Sequence, residues 1–181
     1  MKTATKNLED DHVFILKLTD VMVAVTHSEN PDIDHISSII DIIKNFADGL
    51  HHAKEETHFF PSLASKGFSA QQGPVAVMLH EHAEGRNYVK GITDNLERYK
   101  NGDKSAKAGM YQNMLGYAEL LVNHIGKENN ILFRMADKVL SEEEQQDLLS
   151  DFGKVENDRP AGKKAEDYIK TILTLASFYK I

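Results

Sequence analysis

Apolar side chains recur at three- and four-residue steps along nearly the whole chain, the spacing that lines up one face of a helix. Val13, Leu16, Thr19 and Val23 mark a first helix, with Asp10 and Asp11 placed to cap it. Ile36, Ile39, Ile40, Ile43, Ala47 and Leu50 mark a second, from about 34 to 60. A third opens at Pro74, a favoured first-turn residue, and carries Val75, Met78, His82, Val89 and Leu96. A fourth, from about 104 to 138, carries Met114, Tyr117, Leu121, Ile125 and Leu132. Ser141 and Glu144 form a capping box for a short helix ending near Phe152. A last amphipathic helix, from about 163 to 179, follows the break at Asp158-Arg159-Pro160. No segment alternates as a strand would. Four long helices with short connections predict an all-α, up-down-up-down four-helix bundle over residues 1–138. Residues 139–181 then form a C-terminal helical extension packing on it.

Composition narrows the function. The chain has 181 residues, 41% of them apolar, enough for a sizeable core. Its formal charge of −7 argues against nucleic acid and anionic membrane as partners. The absence of Cys excludes disulfides, thiolate zinc sites, iron–sulfur ligation and a cysteine nucleophile. Residues 1–11 are polar and lack the apolar centre of a leader, and no stretch approaches the roughly 18 apolar residues of a membrane span. The expectation is a soluble cytoplasmic protein. Nine His remain to be explained.

Their placement carries chemistry. At about 100° per residue, His51 and His58 fall about 60° and about 40° from Ile36, on the apolar side of the second helix, and Glu55 about 100°. His52 and Glu56 project to the outer face. His51 and Glu55 are four apart, so their side chains meet one turn above each other. His124 and Glu128 repeat this spacing on the face of Tyr117, Leu121 and Leu132. His82 shares a face with Val75, Met78 and Val89, and His12 aligns with Leu16, Thr19 and Val23. In an alternating bundle the starts of the odd helices meet the ends of the even ones. His12, His51, Glu55, His82, His124 and Glu128 therefore converge at one level. Such groups are costly in an apolar core unless something pairs with them, and Glu plus His is the ligand set of a non-haem di-iron centre. His35, His52 and His80 read as surface residues. His27 lies about 22 Å along the helix from His12, too far to share its centre.

These residues also carry a resemblance. The runs His51-His52-Ala53-Lys54-Glu55-Glu56 with Phe59-Phe60-Pro61, Gly73-Pro74 to Met78, Glu81-His82 with Gly85-Arg86, and His124 to Asn130 with Leu132-Phe133 resemble the hemerythrin-like (HHE cation-binding) family, in order, over residues 8–138. Asp11-His12 fits the family's opening ligand. The resemblance implies a hemerythrin-like bundle with two iron ions bridged by oxo or carboxylate groups, manganese or zinc being able to substitute. Its implied ligands are His12, His51, Glu55, His82, His124 and Glu128. Oxygen-carrying hemerythrins have five His, two of them four apart on the third helix. Here Met78 and Arg86 flank His82 at that spacing, so one iron would lack a His. His58 is the candidate replacement or outer proton donor, and Glu81 a candidate outer partner or labile ligand.

Three functions compete on this reading. The first is a di-iron protein binding or sensing dioxygen, its pocket sealed by Leu16, Met78, Leu79, Leu121, Ile125 and Leu132. The second is a redox enzyme acting on nitric oxide or peroxide, or iron donation in iron–sulfur centre repair. The third is an interaction module presenting Tyr168, Ile169, Ile172, Leu173, Leu175, Phe178 and Tyr179. A small diatomic ligand is the expected partner. The chain is expected as a monomer, or as a homodimer through its C-terminal helices. Tyr117 lines the pocket or packs within the core.

Overall fold

A computed structural model describes residues 2–158 and 163–181. Every regular element in it is a helix. Arg159 and Pro160 of the expected break lie outside the described residues. The first helix, α1 (Ala4–Thr26), starts earlier than Asp10 and Asp11 suggested: Thr3 caps it, accepting a hydrogen bond from the Lys6 amide at 3.1 Å. The two aspartates are used sideways instead, Asp10 pairing with Lys2 and Lys6 and Asp11 with Lys54.

The second helical run begins at α2 (Ile33–Ile42), capped by Asp32. It then widens. A π-helical stretch, π1 (Ile43–His52), and a second, π2 (Glu55–Phe59), lead into α3 (Phe60–Ala64). After Gly73, whose φ of 82° favours glycine, α4 (Pro74–Lys100) opens on its proline. Then α5 (Ala106–Lys127) passes through a third π-helical turn, π3 (Glu128–Leu132), into α6 (Phe133–Val139). The capping box of Ser141 and Glu144 starts α7 (Glu142–Asn157), which continues past Phe152 for five more residues. The last helix is α8 (Ala165–Tyr179).

Buried apolar residues form two clusters. The larger gathers Ile15, Leu18, Ile39, Phe46, Leu50, Ile92, Met114, Leu121 and Ile125, with Tyr168, Ile172 and Leu175 of α8. The smaller gathers Leu8, Phe59, Phe60, Leu63, Met78, Leu132 and Phe133, with Leu148 and Phe152 of α7. The C-terminal helices thus share both clusters with the long helices. Between the clusters in sequence, on every long helix, stand the buried polar residues His12, His51, His52, Glu55, His82, His124 and Glu128.

Glycine lets α4 and α5 approach closely. A Cβ on Gly116 would lie 2.5 Å from the Tyr88 ring, and one on Gly85 would lie 3.0 Å from Tyr117. His35 is half-buried rather than on the surface, because α8 covers it: its Nδ1 lies 2.8 Å from the Tyr179 hydroxyl. His27 and His80 are exposed.

Candidate metal centre

Five imidazoles and two carboxylates meet in the middle of the chain's core. Their potential ligand atoms form two groups, each within 4.8 Å: His52, Glu55, His82 and His124, and His12, His51, Glu55 and Glu128. Glu55 belongs to both, as a bridging carboxylate would. All seven residues are buried.

His52 is the departure from the face projection. It is 5% exposed, and its ring stacks on His82 with centroids 3.8 Å apart. The cause is local backbone geometry. In π1 the Ala53 amide reaches back to the Asp48 carbonyl, five residues away. Each residue of such a helix turns through a smaller angle than in an α-helix. His51 and His52 therefore both face inward. The same widening leaves His58 off the ligand side: its ring is 29% exposed, with Nδ1 3.6 Å from Asp151 of α7 and outside both groups. The group of His82 and His124 takes its third imidazole from the other helix, as His52.

Each ring is held from outside through Nδ1. His12 donates to Asn129 at 2.7 Å, His82 to Glu56 at 2.7 Å, and His124 to Glu81 at 2.9 Å. His52 donates to Asp48 at 3.2 Å and His51 to Asp11 at 3.4 Å. These acceptors put the proton on Nδ1 and leave Nε2 with a bare lone pair. The Nε2 atoms face one another, 2.9 Å apart in His12 and His51 and 3.1 Å apart in His82 and His124. Two lone pairs at that distance repel unless a proton or cation lies between them.

The carboxylates make the same point. All four oxygens of Glu55 and Glu128 are buried without a hydrogen-bond partner. Nε2 of His12 comes within 3.2 Å of Glu128, and those of His51 and His82 within 3.6 and 3.5 Å of Glu55, yet none aims a proton at them. Orphaned acceptors facing bare imidazole nitrogens are what a divalent cation satisfies. An outer oxygen acceptor on each ring is the usual support of a metal-binding His. The donor set fits a metal pair.

The protein alone compensates by moving protons. Burial, then the neighbouring Glu128, holds Glu55 far above the usual carboxylate range. Burial also opposes ionisation of Glu128, but His124, His12 and His51 outweigh it and keep its carboxyl low. Burial and the neighbouring imidazoles push His51 down, and hold His52 at about 3.

A cavity of about 240 Å³ reaches His52 and His82. Ile43, Asp48, His52, His82, Arg86 and Tyr117 line it. Arg86 stands across Asp48 and Glu56, at 2.7 and 2.8 Å, and so braces the acceptors of both His52 and His82. The Tyr117 ring is buried against Gly85 and also faces this cavity. Aromatic rings stand against the other group. Phe133 stacks on His12 at 5.5 Å, and Phe59 meets Phe133 edge-on.

Glu81 accepts from His124 and pairs with Lys127, outside both groups. The sequence reading gave Asp11, Asp48, Glu56 and Asn129 no role as acceptors for the imidazoles. One signal was present: Asp48 stands four residues before His52, the spacing of a helical pair.

The iron-sulfur cluster repair protein YtfE of Enterobacter sp. (strain 638) is 35% identical over 89 residues. Its namesakes in Musicola paradisiaca and Escherichia coli K12 are 34% identical over the same length. In each, the match covers 48% of this chain and 40% of the relative, so the chain matches about two fifths of the relatives' length. No solved structure matches. The model of the hemerythrin HHE cation binding domain matches residues 3–136, which take in all seven clustered residues. With three quarters of its length in that match, the chain belongs to the hemerythrin HHE cation-binding family.

Proposed function

We propose that the four long helices form an up-down-up-down bundle holding two iron ions between the two His/Glu groups. The chain then works as a non-haem di-iron redox protein serving nitric oxide chemistry or iron donation in iron–sulfur repair. The observation that carries this reading is asymmetric access. The three-His group opens through His52 and His82 onto a cavity edged by Arg86 and Asp48, while the two-His group lies behind Phe133 and Phe59. A charged entrance suits ligand turnover and metal exchange. Reversible oxygen binding needs a dry, sealed pocket. The names of the YtfE relatives point the same way.

When bound, a ferrous pair supplies one electron from each ion to a diatomic ligand. The residues do the rest. The five Nε2 lone pairs and the two carboxylates hold the cations. The outer acceptors keep each Nδ1 protonated and fix ring orientation. Arg86 holds Asp48 and Glu56 in place at the cavity edge. Tyr117 presents its ring to the cavity, and Phe59 and Phe133 exclude water behind His12.

Dioxygen binding or sensing is the second reading, favoured by that aromatic wall around His12. Anaerobic addition of nitric oxide to the ferrous-loaded protein separates the two. Nitric oxide takes two electrons and two protons per pair of molecules to give nitrous oxide and water. The expected result is one nitrous oxide for every two ferrous ions, with both ions left ferric. Absence of nitrous oxide, together with oxygen uptake reversed under vacuum, would favour the second reading.

A further inference from the structure

Lys54 is fully buried, although it stands beside Glu55 in a run of charged residues. Buried lysines persist when all three ammonium donors find partners. Here Lys54 donates to Asn7 at 3.1 Å and to Asp11 at 3.0 Å and forms an ion pair with Glu156 at 2.7 Å, and the Phe152 ring lies 5.9 Å away. The Asp11 oxygen that takes Lys54 is the same one that faces Nδ1 of His51. Glu156 and Phe152 belong to α7, and Glu156 lies on the stretch of that helix beyond Phe152. A continuous chain of contacts thus runs from α7 to an imidazole of the two-His group: Glu156, Lys54, Asp11, His51.

We propose that Glu156 is a positioning residue for this group, fixing His51 through Lys54 and Asp11, so that the C-terminal helix α7 sets how firmly one of the two metal ions is held. The proposal rests on the metal-centre reading above. Its geometry is specific to one half. Around the other group, Asp48 and Glu56 are braced by Arg86 and Glu81 by Lys127, none of them from α7. A second tie of α7 to the long helices, Lys66 to Glu144 at 2.6 Å, leads to no ligand and serves as the control. Glu156 is 43% exposed, so its replacement leaves the core packing in place.

The test uses the full chain loaded with cobalt(II) alone, followed by its visible spectrum during chelation by EDTA. Glu156→Ala should release one cobalt equivalent about tenfold faster than wild type, the size of effect seen when a ligand's outer support is lost. The other equivalent should leave at the wild-type rate. Glu156→Gln keeps the oxygen acceptor and should restore most of the slow release. Lys66→Ala should release both equivalents at wild-type rates. Equal behaviour of Glu156→Ala and Lys66→Ala, whether both normal or both fast, would overturn the proposal while leaving the metal centre intact. A wild-type chain that holds no cobalt would overturn the metal-centre reading and this proposal with it.

Discussion

Glu55 and Glu128 bring four carboxylate oxygens into a region from which water is excluded, and no side chain donates to them. The cost of an unsatisfied buried acceptor is about 1–3 kcal/mol, more for a charged group. Without metal, a raised Glu55 and a depressed His52 lessen that cost by giving up charge. The His52 ring makes a stability prediction. In the folded protein it stays neutral down to about pH 3, whereas in the unfolded chain it takes a proton below about 6.5. The unfolded state then binds the extra proton, and stability falls as pH falls between those limits. Each pH unit is worth about 1.4 kcal/mol. In metal-free protein, the stability of wild type relative to His52→Leu should therefore decline on acidification from 6.5 towards 3. Denaturant melts of both proteins at several pH values give the difference, and a constant one would contradict this protonation of His52.

At the scale of elements, the π-helical turns decide what the site contains. They lie at His51, His52 and Glu55 on one run and at Glu128 on another. The presence and order of the helices were legible in the sequence because apolar periodicity survives small changes of pitch, but the start of α1 and the end of α7 were not. So was the convergence of His12, His51, Glu55, His82, His124 and Glu128, since groups spaced four apart stay near one another. His52 and His58 were misassigned for one reason: a fixed 100° step accumulates error across a widened helix, and hydrogen bonds to the fifth residue leave no mark in residue type. The outer acceptors were hidden because ordinary exposed acids and the acids that hold a ligand ring look alike in sequence. The α4–α5 contact gives a check on packing. Gly116→Ala drives a Cβ into the Tyr88 ring and should cost about 1–3 kcal/mol despite the better helix propensity of alanine. Gly126→Ala meets nothing within 4 Å and should stabilise by about 0.5–1 kcal/mol. Thermal melts should move in opposite directions. Two shifts of the same sign would mean that close approach does not govern this contact.

Over the whole molecule, a polar layer divides two apolar clusters, and both are completed by the C-terminal helices. Their apolar faces were legible as a packing surface, through Tyr168, Ile172 and Leu175. The link from α7 to Asp11 was not, because a buried ammonium cannot be told from an exposed one by spacing alone. Leu173 and Phe178 remain exposed on α8. No described helix is long and apolar enough to cross a membrane. What unifies the molecule is one carboxylate, Glu55, shared by two groups of ligands. The measurement that tests this most directly is the number of ferrous ions held per chain under anaerobic conditions, in wild type and in Glu55→Ala. The account predicts two ions in wild type and fewer than two once the shared carboxylate is gone. One ion or none in wild type, or two retained without Glu55, would contradict it.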